Sequence, residues 1–209
     1  MVTVGWSLFR GWAVSSPSNE LLWAIIGLIL TIGGTFVEAF MTNFPWSWTE
    51  QGIQIHSLGV TYQIGAVLLT GCLGGKRAGA FSQLAYVTLG LFWQPVFSNG
   101  GGLEYLLEPT FGYILGFIPG AWFCGVLAFR RDKQLEWLAM SCLFGLAIIH
   151  SFGIVYLVGL HYVKLFILDA PLLLWPTIAQ YSWQPLGGQL VLVCAVAVLA
   201  SGLRNILFY

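Results

Sequence analysis

Apolar residues run along this chain in long blocks, and polar residues fall in short breaks between them. The blocks lie near Leu21–Phe40, Leu58–Leu73, Gly79–Phe92, Thr110–Phe129, Leu135–Leu160 and Gly187–Leu207. A membrane-spanning helix needs about 20 mostly apolar residues, because about 1.5 Å of rise per residue must cover about 30 Å of hydrocarbon. Six blocks approach that length, and the second and third, being short, extend into their flanks. The pattern predicts an all-α polytopic membrane protein: one domain over residues 1–209, a bundle of six transmembrane helices with outer capping loops. Among the breaks, Met41–Ser57 carries Pro45, Trp46 and Trp48 and reads as a loop at the membrane surface, where tryptophan concentrates. Trp93–Pro109 is rich in glycine. His161–Leu186 is apolar in pieces but interrupted by Asp169, Pro171 and Pro176, so it reads as interfacial or re-entrant.

Composition strengthens this picture. Of the 209 residues, 58% are hydrophobic and 8% charged, against about 25% charged in a soluble domain. A chain this short cannot hide so much apolar surface in its own core, and a bilayer removes the conflict. A cleaved signal peptide is not expected, since the first long apolar run begins only at Leu21 and is long enough to span. The formal net charge is zero, and no basic patch argues for nucleic acid. With six spans, Arg10, Lys76, Arg77, Arg130, Arg131, Lys133 and Arg204 share one face and Lys164 lies alone on the other. The positive-inside rule then puts both termini in the cytoplasm.

The motifs of chemistry are missing. No phosphate-binding G-x-x-x-x-G-K-[ST], no H-E-x-x-H and no G-x-S-x-G occurs, and no cofactor is implied. His56, His150 and His161 lack metal-site spacing. His150 falls inside the fifth span, where an ionisable group invites a functional hypothesis, although a hydrogen-bonded packing histidine is the more frequent outcome. Cys72, Cys124, Cys142 and Cys194 are scattered, with no C-x-x-C pair, and read as small buried packing residues. Glu38 is the one candidate for an intramembrane carboxylate.

Residues 59–129 carry a series of pieces that resembles a known family. They are Val60-Thr61-Tyr62-Gln63, the glycine-rich basic turn Gly71-Cys72-Leu73-Gly74-Gly75-Lys76-Arg77-Ala78-Gly79, and Tyr86-Val87-Thr88-Leu89-Gly90. Pro95-Val96-Phe97, the run Gly100–Gly102 and Pro109-Thr110-Phe111-Gly112-Tyr113 follow. In order and spacing they resemble the BioY family, the biotin-binding substrate-specific (S) component of energy-coupling-factor (ECF) transporters. The resemblance implies a plasma-membrane biotin-capture subunit with no enzymatic activity, bound by membrane lipids. A coupling membrane subunit and two ATPase subunits would drive release to the cytoplasm. It departs at the last helix, where Gln189 stands for an expected Asp and Leu192 for an expected Lys. Another small vitamin as ligand therefore stays open, as does an autonomous facilitator or scaffold without ATPase partners.

Each piece also has a physical reading. The glycines between Gly71 and Gly79 permit a tight turn with two helices starting close together. Asn99 with Gly100–Gly102 reads as a flexible backbone segment that folds over a ligand. Thr110 is placed to cap the fourth helix, and Tyr113, one turn on, faces either the cavity or the membrane interface. Biotin joins a polar urea head to an apolar ring, so its pocket needs a few fixed polar groups in an aromatic setting. The outer half offers Thr61, Gln63, Gln83, Tyr86, Asn99, Tyr113 and Gln189 as ligand-binding candidates, with Trp93, Trp175 and Trp183 as apolar walls. On the first helix Gly27, Thr31, Thr35 and Ala39 recur every four residues as a stripe of small side chains. Such a stripe either packs on the chain's own helices or, as the resemblance implies, docks on the coupling subunit.

Overall fold

The computed structural model describes residues 17–43, 45–131, 134–167 and 172–207. Arg10, Lys133, Asp169 and Pro171, used in the sequence reading, lie outside the described residues. Helix α1 (Pro17–Phe36) starts on a proline, whose fixed φ suits the first helical position. A two-stranded antiparallel hairpin follows, β1 (Glu38–Thr42) and β2 (Ile55–Thr61), joined through a 3₁₀ turn and the one-turn helix α2 (Trp48–Gln51). Helix α3 covers Gln63–Phe92, then α4 (Phe111–Ala128), α5 (Leu135–Phe166), the short α6 (Leu174–Ile178) and α7 (Leu186–Leu207).

The second expected block is part strand and part helix. Its first residues, Leu58–Thr61, lie in β2, and only from Gln63 does the helix run. The connection before it is a folded hairpin rather than a bare surface loop. Asn43 organises it by donating to Ser47 Oγ (2.9 Å) and the Gly52 carbonyl (3.0 Å) while accepting from the Gln54 N–H (3.0 Å). Ser57 donates to Glu38 across the strands, so the carboxylate that follows α1 is engaged within the hairpin.

Helix α3 reverses direction at Gly75, whose φ of 79° and ψ of −176° belong to glycine alone. A Cβ placed on Gly79 would lie 3.3 Å from the Gly71 Cα, and Gln63 Nε2 reaches Tyr86 Oη across 2.9 Å. Residues that far apart in sequence meet only if the two halves run antiparallel. The glycine-rich turn thus closes a helical hairpin, with Gly71 and Gly79 both set against Ala121 of α4. Among the described residues, four stretches are long and apolar enough to cross a membrane: Pro17–Phe36, Phe111–Ala128, Leu135–Phe166 and Leu174–Leu207. The halves of α3 are each shorter than the usual spanning length of about 20 residues.

In the bundle, α4 lies between α3 and α5, α1 packs on α3, and α7 closes against α5 and α3. One end holds the β-hairpin, the Trp93–Pro109 connection and α6. There Gly188, at the start of α7, sits directly against the Leu58 carbonyl of β2. The other end holds Arg77, Arg130, Arg131 and the Gly75 turn, and Arg77 pairs with Glu20 at 3.5 Å. Expected span boundaries shift accordingly: α1 begins four residues earlier and stops at Phe36, and α5 runs on to Phe166.

The small-residue stripe of α1 faces inward. Thr31 is fully buried, Gly27 abuts Thr70 and Ser82, and Ala39 is buried in β1. Thr35 meets Tyr86 Oη at 3.1 Å, and Thr31 accepts from Gln83 Nε2 at 3.0 Å. Gly27, Thr31, Thr35 and Ala39 are therefore not an open docking face. The exposed side of α1 is instead Leu22, Ile25, Ile29 and Phe36. The correction has a simple cause: a four-residue period identifies one face but not the neighbour it meets.

Candidate ligand site

Two buried polar groups lie in the hairpin-capped half of the bundle, and their hydrogen-bond capacity separates them. The first joins α1 to both halves of α3. Tyr86, with no exposed surface, donates to the Val96 carbonyl (3.0 Å) and faces Gln63 Nε2 and Thr35 Oγ1. Its one proton goes to Val96 and it accepts from Gln63, while Thr35, whose own proton goes to the Thr31 carbonyl, lies 3.1 Å away. Gln83 is fully buried and bonds Thr31 and Ser82, both at 3.0 Å. Gln63, Gln83 and Tyr86, expected among ligand contacts, form an internal brace.

The brace also fixes the glycine-rich connection. Phe97 is buried against Gly90 and meets Tyr86 edge-on at 5.3 Å and Tyr105 at 4.6 Å. Phe97 and Gly100 exchange backbone hydrogen bonds (2.9 and 3.1 Å), and the Gly102 N–H donates to the Gly90 carbonyl at 2.8 Å. A Cβ on Gly101 would lie 2.6 Å from that same carbonyl. This segment is pinned backbone to backbone, not loose. It leaves Asn99 exposed at the turn tip, while Thr61 is half-buried in β2. Thr110 caps α4 with its backbone only, since its hydroxyl pairs with Tyr105 at 2.9 Å.

The second group lies between α4, α5, the segment after α6, and α7. Tyr113 Oη is 2.7 Å from Ser182 Oγ, Ser182 Oγ is 3.2 Å from His150 Nδ1, and His150 Nε2 is 2.7 Å from Gln189 Oε1. A carbonyl oxygen only accepts, so His150 Nε2 carries the proton and Nδ1 accepts from Ser182. Ser182 in turn accepts from Tyr113. The chain is directional, ending in phenol lone pairs on one side and an amide bearing donors on the other. Each member is at least nine-tenths buried. Gly153 admits the Tyr113 ring, which meets His150 edge-on at 5.7 Å, with Tyr181 at 6.3 Å.

This chain borders a cleft of about 340 Å³, lined by Leu146, His150 and Ile154 of α5 and by Ile178, Ser182 and Trp183 beyond. That size falls within the range of small-molecule sites, about 300–1,000 Å³. Of the expected wall tryptophans, Trp93 and Trp175 are 81% and 80% exposed, the placement of interfacial anchors. Trp183 is also 77% exposed, and of the three it alone borders the cleft. Sequence reasoning placed Tyr113 and Gln189 here, weighed His150 as a packing residue, and missed Ser182 and Tyr181. Ser182 sits on a π-helical turn, Ala179–Trp183, in the stretch that read as interfacial or re-entrant. Such turns frequently mark functional positions.

Comparison with known proteins agrees with this architecture. The probable biotin transporter BioY of Lysinibacillus sphaericus is 42% identical over 98 residues, 46% of this chain and 50% of that protein. The biotin transporter BioY of Thermotoga maritima is 39% identical over 95 residues, 45% of this chain and 56% of its own length. Each alignment spans about half the length of the relative. A crystal structure of the S-component for biotin from an ECF-type ABC transporter overlays with a TM-score of 0.64 and 19% identity. It covers 90% of this chain and 92% of that one, which shows a shared fold. Residues 14–208 match the model of the BioY family. With the match running through every described helix and the fold shared with an S-component, this multi-pass membrane chain belongs to the BioY family.

Proposed function

We propose that the protein is the biotin-capturing membrane subunit of an ATP-driven ECF-type transporter. The observation that carries the proposal is the directed chain Tyr113–Ser182–His150–Gln189, buried beside a small-molecule-sized cleft in a member of the BioY family. A urea head group both donates and accepts hydrogen bonds, and of this chain His150 and Ser182 border the cleft, with Tyr113 and Gln189 behind them. The apolar residues of the cleft suit a thioether ring.

In this reading the bundle crosses the plasma membrane six times, the two halves of α3 counting as two crossings, with both termini cytoplasmic. Support comes from charge: among the described residues, Lys76, Arg77, Arg130, Arg131 and Arg204 gather at one end and Lys164 alone belongs to the other. The hairpin end, with Trp46, Trp93 and Trp175 exposed, faces outward. A coupling membrane subunit and two ATPases supply the energy for release. The exposed face of α1 (Leu22, Ile25, Ile29, Phe36) is free of the internal stripe and available to such a subunit.

A second reading, a different small vitamin, draws on one observation. Leu192 is buried and packs toward Gly65 in place of a charged residue, while Gln189 is tied to His150. Tryptophan-fluorescence titration of the purified protein separates the two, because Trp183 lines the cleft. Saturable quenching by biotin at equimolar ratios supports the proposal. No response to biotin together with saturation by another vitamin selects the second reading. Uptake that persists in ATP-depleted cells would instead identify an autonomous facilitator.

A further inference from the structure

Three cysteines that are far apart in sequence converge near the basic end of the bundle. Cys72 of α3, Cys124 of α4 and Cys142 of α5 are all buried. Cys72 Sγ lies 3.6 Å from Cys124 Sγ and 3.5 Å from Cys142 Sγ, and all three sulfurs lie within 4.8 Å of one another. Bonds of about 2.3 Å from a tetrahedral zinc to thiolates give sulfur–sulfur edges of about 3.8 Å. The sulfurs are thus already near the spacing of metal ligands, brought there by three helices whose own glycine contacts hold them together.

A second, independent observation points to the same place. Arg204 of α7 is 4% exposed and is held over the cluster. Its Nε donates to the Cys72 carbonyl (2.9 Å), its Nη1 to the Ala128 carbonyl (2.8 Å), and its guanidinium lies 4.0 Å from the centre of the Phe129 ring. Its Nη2 has no hydrogen-bond partner, and among the described residues no carboxylate pairs with it. A buried guanidinium in a membrane bundle needs a counter-charge, and the thiols are the acidic groups beside it.

We infer that Cys72, Cys124 and Cys142 form a three-thiolate site for a soft divalent cation of the zinc class, with Arg204 as its counter-charge. On binding, each thiol loses its proton to solvent, so the sulfur becomes the ligand as thiolate. Three thiolates, one divalent ion and one guanidinium are together neutral, which a monovalent ion would not achieve. The neutral assembly removes the uncompensated charge and ties α3, α4 and α5 at one point. Three protein ligands leave one coordination position for water. The fourth cysteine, exposed Cys194 on α7, stands apart.

The test uses the full chain, purified in detergent from cells grown with added zinc and freed of loose metal by chelator and gel filtration. Metal per chain is measured by mass spectrometry. Equimolar zinc in the unaltered chain and in Cys194→Ser, with loss of zinc in Cys142→Ser and Cys124→Ala, supports the site. Zinc retained in both cysteine variants, or no zinc in the unaltered chain, overturns it. Cadmium exchange on the unaltered chain needs no variant to fold. Sulfur-to-cadmium charge-transfer absorption at the strength of three thiolates supports the site, and its absence overturns it.

Discussion

The inward stripe on α1 makes a sharp prediction for the double substitution Gly27→Leu with Thr31→Leu. A Cβ alone on Gly27 would press into Thr70 Cγ2, with Thr70 Oγ1 at 2.8 Å and Ser82 Cβ at 3.0 Å. Leucine adds three more carbons where a methyl does not fit, and overpacking of this kind costs about 1–3 kcal/mol. At position 31 the loss is polar. Thr31 Oγ1 accepts from Gln83 Nε2 at 3.0 Å, and the other polar atom of that amide, Oε1, is already buried without a partner. Removing the acceptor leaves Gln83 held only by Ser82, for a further about 1–3 kcal/mol. The two sites are neighbours on one face, so the losses need not add. Thermal unfolding in detergent, followed by size-exclusion fluorescence, measures the sum. The double variant should melt well below the unaltered chain and bind biotin more weakly, because the same brace carries Tyr86 and the Val96 carbonyl. Leu22→Ala with Ile29→Ala on the outer face should leave the midpoint nearly unchanged. A double variant that melts normally and binds normally, yet no longer co-purifies with ATPase partners, would refute the internal packing and restore the stripe as a docking face.

His150→Ala and Gln189→Ala should each weaken biotin binding by about 1–3 kcal/mol, about 5- to 150-fold in Kd, and their double variant should lose less than the sum. Unchanged titration curves in both would remove the Tyr113–Gln189 chain as the site. Gly75→Ala forces a Cβ onto a φ of 79° and should destabilise the fold by about 1–3 kcal/mol, seen as a lower melting midpoint. A midpoint equal to the parent's would mean that the turn relaxes without strain. In intact cells carrying Cys194→Ser, an impermeant thiol reagent should label a cysteine introduced at Asn99 and not one introduced at Asp132. The opposite pattern would invert the orientation.

The apolar blocks and the sparse, one-sided cations were enough, by themselves, to determine a helical membrane bundle, and the motif series between Gly59 and Phe129 carried the family resemblance. Length against bilayer thickness is a one-dimensional constraint, readable from any stretch of chain. The reversal at Gly75 was legible for the same reason, because glycine clusters mark turns locally. The β-hairpin was not: β1 and β2 are largely solvent-facing, so no strict alternation of apolar and polar residues betrays them. Helix periodicity placed Gly27, Thr31 and Thr35 on one face, but only packing decided that this face meets Thr70, Gln83 and Tyr86. The candidate site divides the same way. Polar residue types named Tyr86 and Tyr113 as equals, yet Tyr86 gives its one proton to Val96 inside the brace, whereas Tyr113 bonds Ser182, which borders the cleft. Ser182 and the meeting of Cys72, Cys124 and Cys142 had no sequence signal, since their partners lie on other helices. Composition and spacing constrain what a segment is, and the tertiary fold alone decides which atoms come within hydrogen-bonding reach, because contact distance depends on how whole helices pack rather than on separation along the chain.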